Sequence, residues 1–361
     1  MYILSFIIIL FASFNALYNH KSNPILFKFV YMMLTFIVVF RYGQGTDFFG
    51  YMYYYNNVDL YDPFYQKDIG FAVLCSISKN FGLTFTVFNS LFALLTMLVY
   101  YPFFNKTCNK SFISLFIFFT YVFLIFPMSG IRQGLTIGIL LGYLYPLLIS
   151  KRYILYFFIL IIGSTIHLSL MICAVLPFVQ KINIEKRVMI VLFIIGSFII
   201  LLNLNLYNLI PFDLPTNRGI DVASADDTLY ITGKIFRIII LLLYIIVPDS
   251  YYNDKTKMLR NIVFSGFILY SLLSFVSTVA GRLEIYFRVF EMILLYKLII
   301  SNKKYFIKLI GTAFIILYGI LFFKNIDSQI NQGGYIKTNV LNYPYVSLFN
   351  QERIYKYRGI Y

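Results

Sequence analysis

Tryptophan is absent from this chain, and charge is scarce: only 12% of its 361 residues are Asp, Glu, Lys or Arg. A soluble domain carries about 25% charged residues, so a water-facing globule is excluded. Histidine occurs twice and cysteine three times. Cys75, Cys108 and Cys173 sit in or beside apolar runs, with neither metal-ligand spacing nor a disulfide framework, and read as small core residues. No Walker sequence, no Gly-x-Ser-x-Gly elbow, no zinc spacing and no dinucleotide fingerprint occurs. The sequence therefore asks for no cofactor and no metal.

What fills the gap is apolar. Hydrophobic residues make up 60% of the chain and mean hydropathy is +0.79, so the solvent is lipid. With 40 Phe and 33 Tyr, the interfacial rings are mostly Tyr. Runs able to form spans lie near 2–17, 24–40, 84–104, 111–128, 134–149, 188–206, 234–248, 261–279, 285–300 and 306–323. The first run lacks a basic flank and a small-residue cleavage site, so it reads as a span rather than a signal peptide. The stretch 153–179 reads as two short helices meeting near His167, and 69–82 as a re-entrant or interfacial piece. The expected fold is all-α: a single polytopic membrane bundle of about 10–12 transmembrane helices over residues 1–361.

Net charge is +15, which for a membrane protein points first to positive-inside anchoring; no nucleic-acid partner is expected. Basic clusters at Lys106/Lys110, Lys151/Arg152, Lys181/Lys186/Arg187, Lys255/Lys257/Arg260 and Lys303/Lys304/Lys308 mark cytoplasmic loops. Loops 41–68, 129–133, 206–233 and 280–284 then face outward from the inner membrane. The basic tail 324–361 departs from this rule.

The outward face collects the polar groups. Arg41 opens the first loop and its guanidinium suits a phosphate or carboxylate; the glycines that follow let Asp47 turn back towards it, with a structural salt bridge as the alternative. Tyr51 to Tyr55 form an aromatic wall for sugars or an interfacial belt. Arg132 and Gln133 sit at a helix start between Gly130 and Gly134, where an anion would meet guanidinium and free N–H groups together. His167, in its hairpin turn, is a candidate base or phosphate donor; the alternative is a buried His bonded to backbone carbonyls. Arg282 stands at another outward helix end, Glu284 and Arg288 are spaced to pair, and Arg218 is a further candidate in the large loop. Arginine clamps without a metal suit a substrate that brings its own diphosphate.

The order of these pieces resembles the EpsG family, which groups with Wzy-type polysaccharide polymerases. The matching elements are Arg41-Tyr42, Asp47 and Tyr51; Gly70-Phe71; Ser129, Arg132 and Gln133; His167 and Ser169; Arg282, Tyr286 and Phe287; and Asn342 to Tyr345. The family's Glu-Pro-Gly-Phe element reads Asp68-Ile69-Gly70-Phe71 here. The resemblance implies polymerisation of undecaprenyl-diphosphate-linked oligosaccharide repeats outside the cytoplasmic membrane, towards capsule, O-antigen or exopolysaccharide. Membrane lipid, a flippase and a chain-length regulator are the implied partners. Arg41, Arg132 and Arg282 would then neutralise the leaving diphosphate, with Gln133, Arg218 and Tyr51 also contacting substrate. His167 is the first choice of base and Asp47 the second. A flippase or transporter, a glycosyltransferase using lipid-phosphate sugars, and an O-acyltransferase are the alternatives.

Overall fold

Lipid leaves a backbone no partner but itself, and the chain answers with helices. The computed structural model describes residues 1–19, 22–62, 65, 67–204, 227–302 and 304–359. Among these residues, helix is the regular structure throughout, apart from one isolated bridge between Arg41 and Ser347. The protein is an all-α polytopic membrane bundle. It divides into two compact units, Met1–Met171 with Tyr318–Tyr361, and Ile172–Leu317.

In chain order the helices are α1 (Tyr2–Asn19), α2 (Pro24–Val39), α3 (Phe48–Asn57), α4 (Ile69–Asn80), α5 (Phe85–Thr107), α6 (Phe112–Phe123), α7 (Ile131–Ile149), α8 (Tyr153–Ile166) and α9 (Leu168–Val179). They continue with α10 (Lys186–Leu201), α11 (Asp227–Ile246), α12 (Asp254–Leu272), α13 (Ser277–Arg288), α14 (Glu291–Ser301), α15 (Tyr305–Gln332) and α16 (Arg353–Arg358). Among the described residues, α1, α5, α7 and α15 are long and apolar enough to cross a bilayer; α2, α4, α6, α8 and α9 are apolar but shorter. Polar residues set the helix starts. The Asn23 side chain caps α2 by accepting from Ile25 and Leu26 N–H at 2.9 and 3.1 Å, with Pro24 at the first helical position. Asn253 caps α12 through Thr256 N–H at 3.0 Å.

In the first unit α2 packs on α5, α5 on α7, α7 on α8 and α8 on α4, while α1 packs on α6. Helix α7 is the most enclosed of the four long helices, 72% buried against 39% for α1, so its first residues start from the middle of the unit. Outer faces stay apolar, as lipid contact requires: Phe11 is 70% exposed and Ile154 91%. In the second unit α12 is the hub, touched by α10, α13 and α14.

Three expectations change. The stretch 280–284, read as a loop, lies inside α13, and the break comes at 273–276. Its Glu284 is paired with Arg237 at 2.5 Å, so the polar stretch stays helical. Helix α15 runs to Gln332, which shortens the tail. The first loop holds a helix, α3. The break in 153–179 falls at His167 as expected, with extended backbone there (φ −154°, ψ 113°) between α8 and α9. Most of 206–233, including Arg218, lies outside the described residues.

Arg41 is a buried knot rather than an outward clamp. Only 1% exposed, it donates from Nε to Met128 O (3.1 Å), from Nη1 to Val38 O (2.6 Å) and from Nη2 to Asn89 Oδ1 (3.2 Å). It thereby ties the end of α2 to the start of α5 and to the turn before α7. The tail lies on the same end. Tyr42 N–H donates to Val346 O, Leu348 N–H to Phe40 O, and Arg358 Nη1 to Gly43 O at 3.0 Å. Tyr2 joins them by donating to Gln44 Oε1 at 2.6 Å. The loop 150–152 is at the far end of α7, about 28 Å away for a helix of 19 residues.

Two outcomes follow. The three native cysteines are buried, so single introduced cysteines report alone. Tyr53→Cys and Leu341→Cys should be labelled by an impermeant thiol reagent from one side of the membrane and Arg152→Cys only from the other. Arg41→Met leaves three buried acceptors without a donor and should lower folding stability by about 3 kcal/mol or more, read as a lowered melting temperature in detergent.

Candidate functional site

The site grows from three chain segments that meet beside the Arg41 knot. The first is the turn before α7. Gly130 N–H bonds Ile125 O at 2.9 Å, and Ser129 Oγ meets Thr46 Oγ1 at 2.9 Å and accepts from Asp47 N–H at 3.3 Å. Gly45 makes that approach possible: its φ is +87°, and a Cβ there would overlap Met128 O. The turn delivers Arg132 in the first turn of α7.

The second segment is the start of α4. Asp68 O accepts from Phe71 and Ala72 N–H, opening the helix. Gly70 lets this turn touch the end of α8, since a Cβ would overlap the Thr165 side chain and lie 3.0 Å from its backbone carbon. The third segment is the α8–α9 break, which carries His167.

Asp68 joins all three. Its Oδ2 accepts from Arg132 Nη1 at 2.5 Å and lies 3.5 Å from His167 Nδ1; its Oδ1 accepts from Leu168 N–H at 3.0 Å. Burial alone would raise the carboxyl's pKa. The His167 hydrogen bond, the Arg132 charge and the Leu168 N–H outweigh burial and hold Asp68 below its ordinary 3.8. Around the guanidinium stand three rings, Tyr51, Phe71 and Tyr54, with centroids 5.3, 5.5 and 5.6 Å from Cζ. Tyr51 Oη also accepts from Arg132 Nε at 3.4 Å. Nη2 takes no protein partner among the described residues, and the side chain keeps 26% of its surface.

The structure thus brings Arg132, His167 and Tyr51 together, with Gln133 buried beside Arg132 in α7. It does not bring Asp47 to Arg41. Asp47 is exposed and forms no ion pair among the described residues, because Arg41 points into the fold and the Asp47 backbone is held by Ser129. Arg41 has spent its donors on the interior and offers no fork to a ligand. Arg282 is exposed in the second turn of α13, in the second unit, not at a helix start. The spacing of Glu284 and Arg288 suggested a pair; Glu284 takes Arg237 and Arg288 takes Glu291 at 3.3 Å. Arg237, stacked 4.0 Å from the Tyr270 centroid, went unnoticed inside an apolar run. Asp68 was noted only as the acid of the Asp68-Ile69-Gly70-Phe71 element and given no role; an acid two residues before a Gly-Phe pair is the one sequence signal for it.

Chemically, the cluster offers a guanidinium prong for an anion, a titratable imidazole, and a carboxylate kept charged. Among the described residues, no three His, Cys, Asp or Glu side chains gather as metal ligands would. The depressed Asp68 pKa has a sign that can be checked. Its contribution to stability is complete above 3.8 and is lost as pH falls through the lower folded value. Asp68→Asn should therefore be less stable than wild type near pH 6 in detergent, and the gap should close as pH drops below about 4.

No curated protein and no solved structure matches the chain. Residues 24–347 match the EpsG family, a span that holds the whole Asp68–Arg132–His167 network, and the chain accordingly belongs to the EpsG family, as a membrane protein of polysaccharide biosynthesis.

Proposed function

We propose that the chain polymerises undecaprenyl-diphosphate-linked oligosaccharide repeats on the outer face of the cytoplasmic membrane, moving the growing glycan onto the next lipid-linked repeat. The observation that carries this reading is the cluster of Arg132, Asp68 and His167 under aromatic rings at one end of a membrane bundle. It joins an anion receptor to a proton acceptor, which is what transfer from a lipid diphosphate needs.

The acceptor hydroxyl oxygen bonds to the anomeric carbon of the growing chain. The bond from that carbon to the diphosphate oxygen breaks, and its electron pair leaves with the diphosphate. Charge grows on the leaving oxygen, where the open Nη2 prong of Arg132 meets it. The hydroxyl proton passes to His167, which is about one-fifth exposed and so within reach of a bound sugar. Tyr51 offers its ring to the glycan beside the guanidinium. Asp47, exposed on the neighbouring turn, is the second candidate base. Activation lies in the lipid diphosphate, so no nucleotide enters.

The test is surface glycan length in a deletion strain complemented with variants. The deletion, Arg132→Ala and His167→Ala should each leave single capped repeats, with polymerised glycan reduced at least ~100-fold, while the variants reach the membrane at normal levels. Loss of single repeats as well would move the function to transport. Normal ladders from both variants would remove the site.

A further inference from the structure

We propose that Asp68 is the positioning residue of this site: its carboxylate holds the proton of His167 on Nδ1 and turns Nε2, with its lone pair, towards the acceptor hydroxyl. This rests on the reading of His167 as the base.

The argument begins with what each oxygen of Asp68 can do. Oδ1 is taken by the Leu168 N–H at 3.0 Å, the amide directly after His167, so the carboxylate is pinned to the backbone that carries the imidazole. Oδ2 is shared between Arg132 Nη1 and His167 Nδ1. A charged carboxylate only accepts, so the hydrogen between Oδ2 and the ring belongs to Nδ1. A neutral imidazole with Nδ1 protonated has its lone pair on Nε2. The 3.5 Å separation is long for a hydrogen bond, as catalytic contacts often are before substrate tightens them.

The ring has little else to orient it. Its side chain is 18% exposed, and among the described residues Asp68 is its side-chain partner. When His167 takes the hydroxyl proton, the imidazolium forms beside a negative charge already in place. Arg132 keeps that carboxylate ionised without competing for the imidazole proton, since guanidinium is itself only a donor. Gly70 belongs to the same device: it brings Asp68 within reach of the α8–α9 break.

The chain has only two histidines, which makes the ring directly observable. In a His20→Gln background, 15N-histidine labelling leaves His167 as the single imidazole signal of the full-length protein in nanodiscs. Its 15N shifts should report an Nδ1–H neutral tautomer in the parent. The tautomer should change in Asp68→Asn and return in Asp68→Glu. Turnover of purified protein on lipid-linked repeat should fall at least ~100-fold in Asp68→Asn, with no rise in KM, and recover in part in Asp68→Glu. An Nε2–H tautomer in the parent, or one that Asp68→Asn leaves unchanged, overturns the proposal, as does undiminished turnover in Asp68→Asn. If His167→Ala turns over normally, it is the base assignment that fails, whatever tautomer the ring shows.

Discussion

One carboxylate decides the geometry of the first unit's polar end. Asp68 is buried at the margin of a lipid-embedded bundle, where an unpaired charge is costly. It is tolerable only because a guanidinium, an imidazole and a backbone N–H converge on it. The guanidinium comes from the start of α7, and the imidazole and the N–H both come from the α8–α9 break, so meeting Asp68's needs fixes how the start of α4, the start of α7 and that break stand to one another. Removing Asp68 would leave all three donors short of this shared acceptor.

A second layer holds the first in place. Arg41 uses all three of its nitrogens on two carbonyls and an amide oxygen, and so sets the turn from which Arg132 is launched. Above it, Arg358 reaches back from the tail to Gly43 O and lies 5.1 Å from the Phe49 centroid, clasping the loop that leads into α3 and Tyr51. The basic tail is thereby tied to the loop end that carries Arg41 and Asp68. Arg358 spends its donors on the carbonyls of the buried glycines Gly43, Gly45 and Gly333.

Much of the fold was legible because lipid punishes exposed backbone. Apolar runs at 24–40 and 134–149 became α2 and α7 with small shifts at their ends. Hydropathy failed at 280–284, where it sees charge but not partners: Glu284 is neutralised by Arg237, forty-seven residues earlier. The site was half legible. Arg132 between glycines and His167 inside an apolar stretch each stand out alone. Asp68 does not, since its partners are 64 and 99 residues away and no local spacing connects them. Arg41 misled for the opposite reason. A basic residue at a span's end looks like a ligand clamp, and only the fold reveals that Met128 and Asn89 are waiting for it.

The choice of arginine at position 132 follows from the same arithmetic of donors. An ammonium is a point charge, and at this position the Asp68 carboxylate would draw it in whole. A planar guanidinium can be divided. Nη1 serves Asp68, Nε serves Tyr51, and the flat face is covered by rings on α3 and α4. Nη2 is then left over, held in direction by the other two. The ion pair with Asp68 thus orients Arg132 as well as neutralising it: internal bonds fix the plane of the fork and leave Nη2 as the donor that the proposed diphosphate would meet.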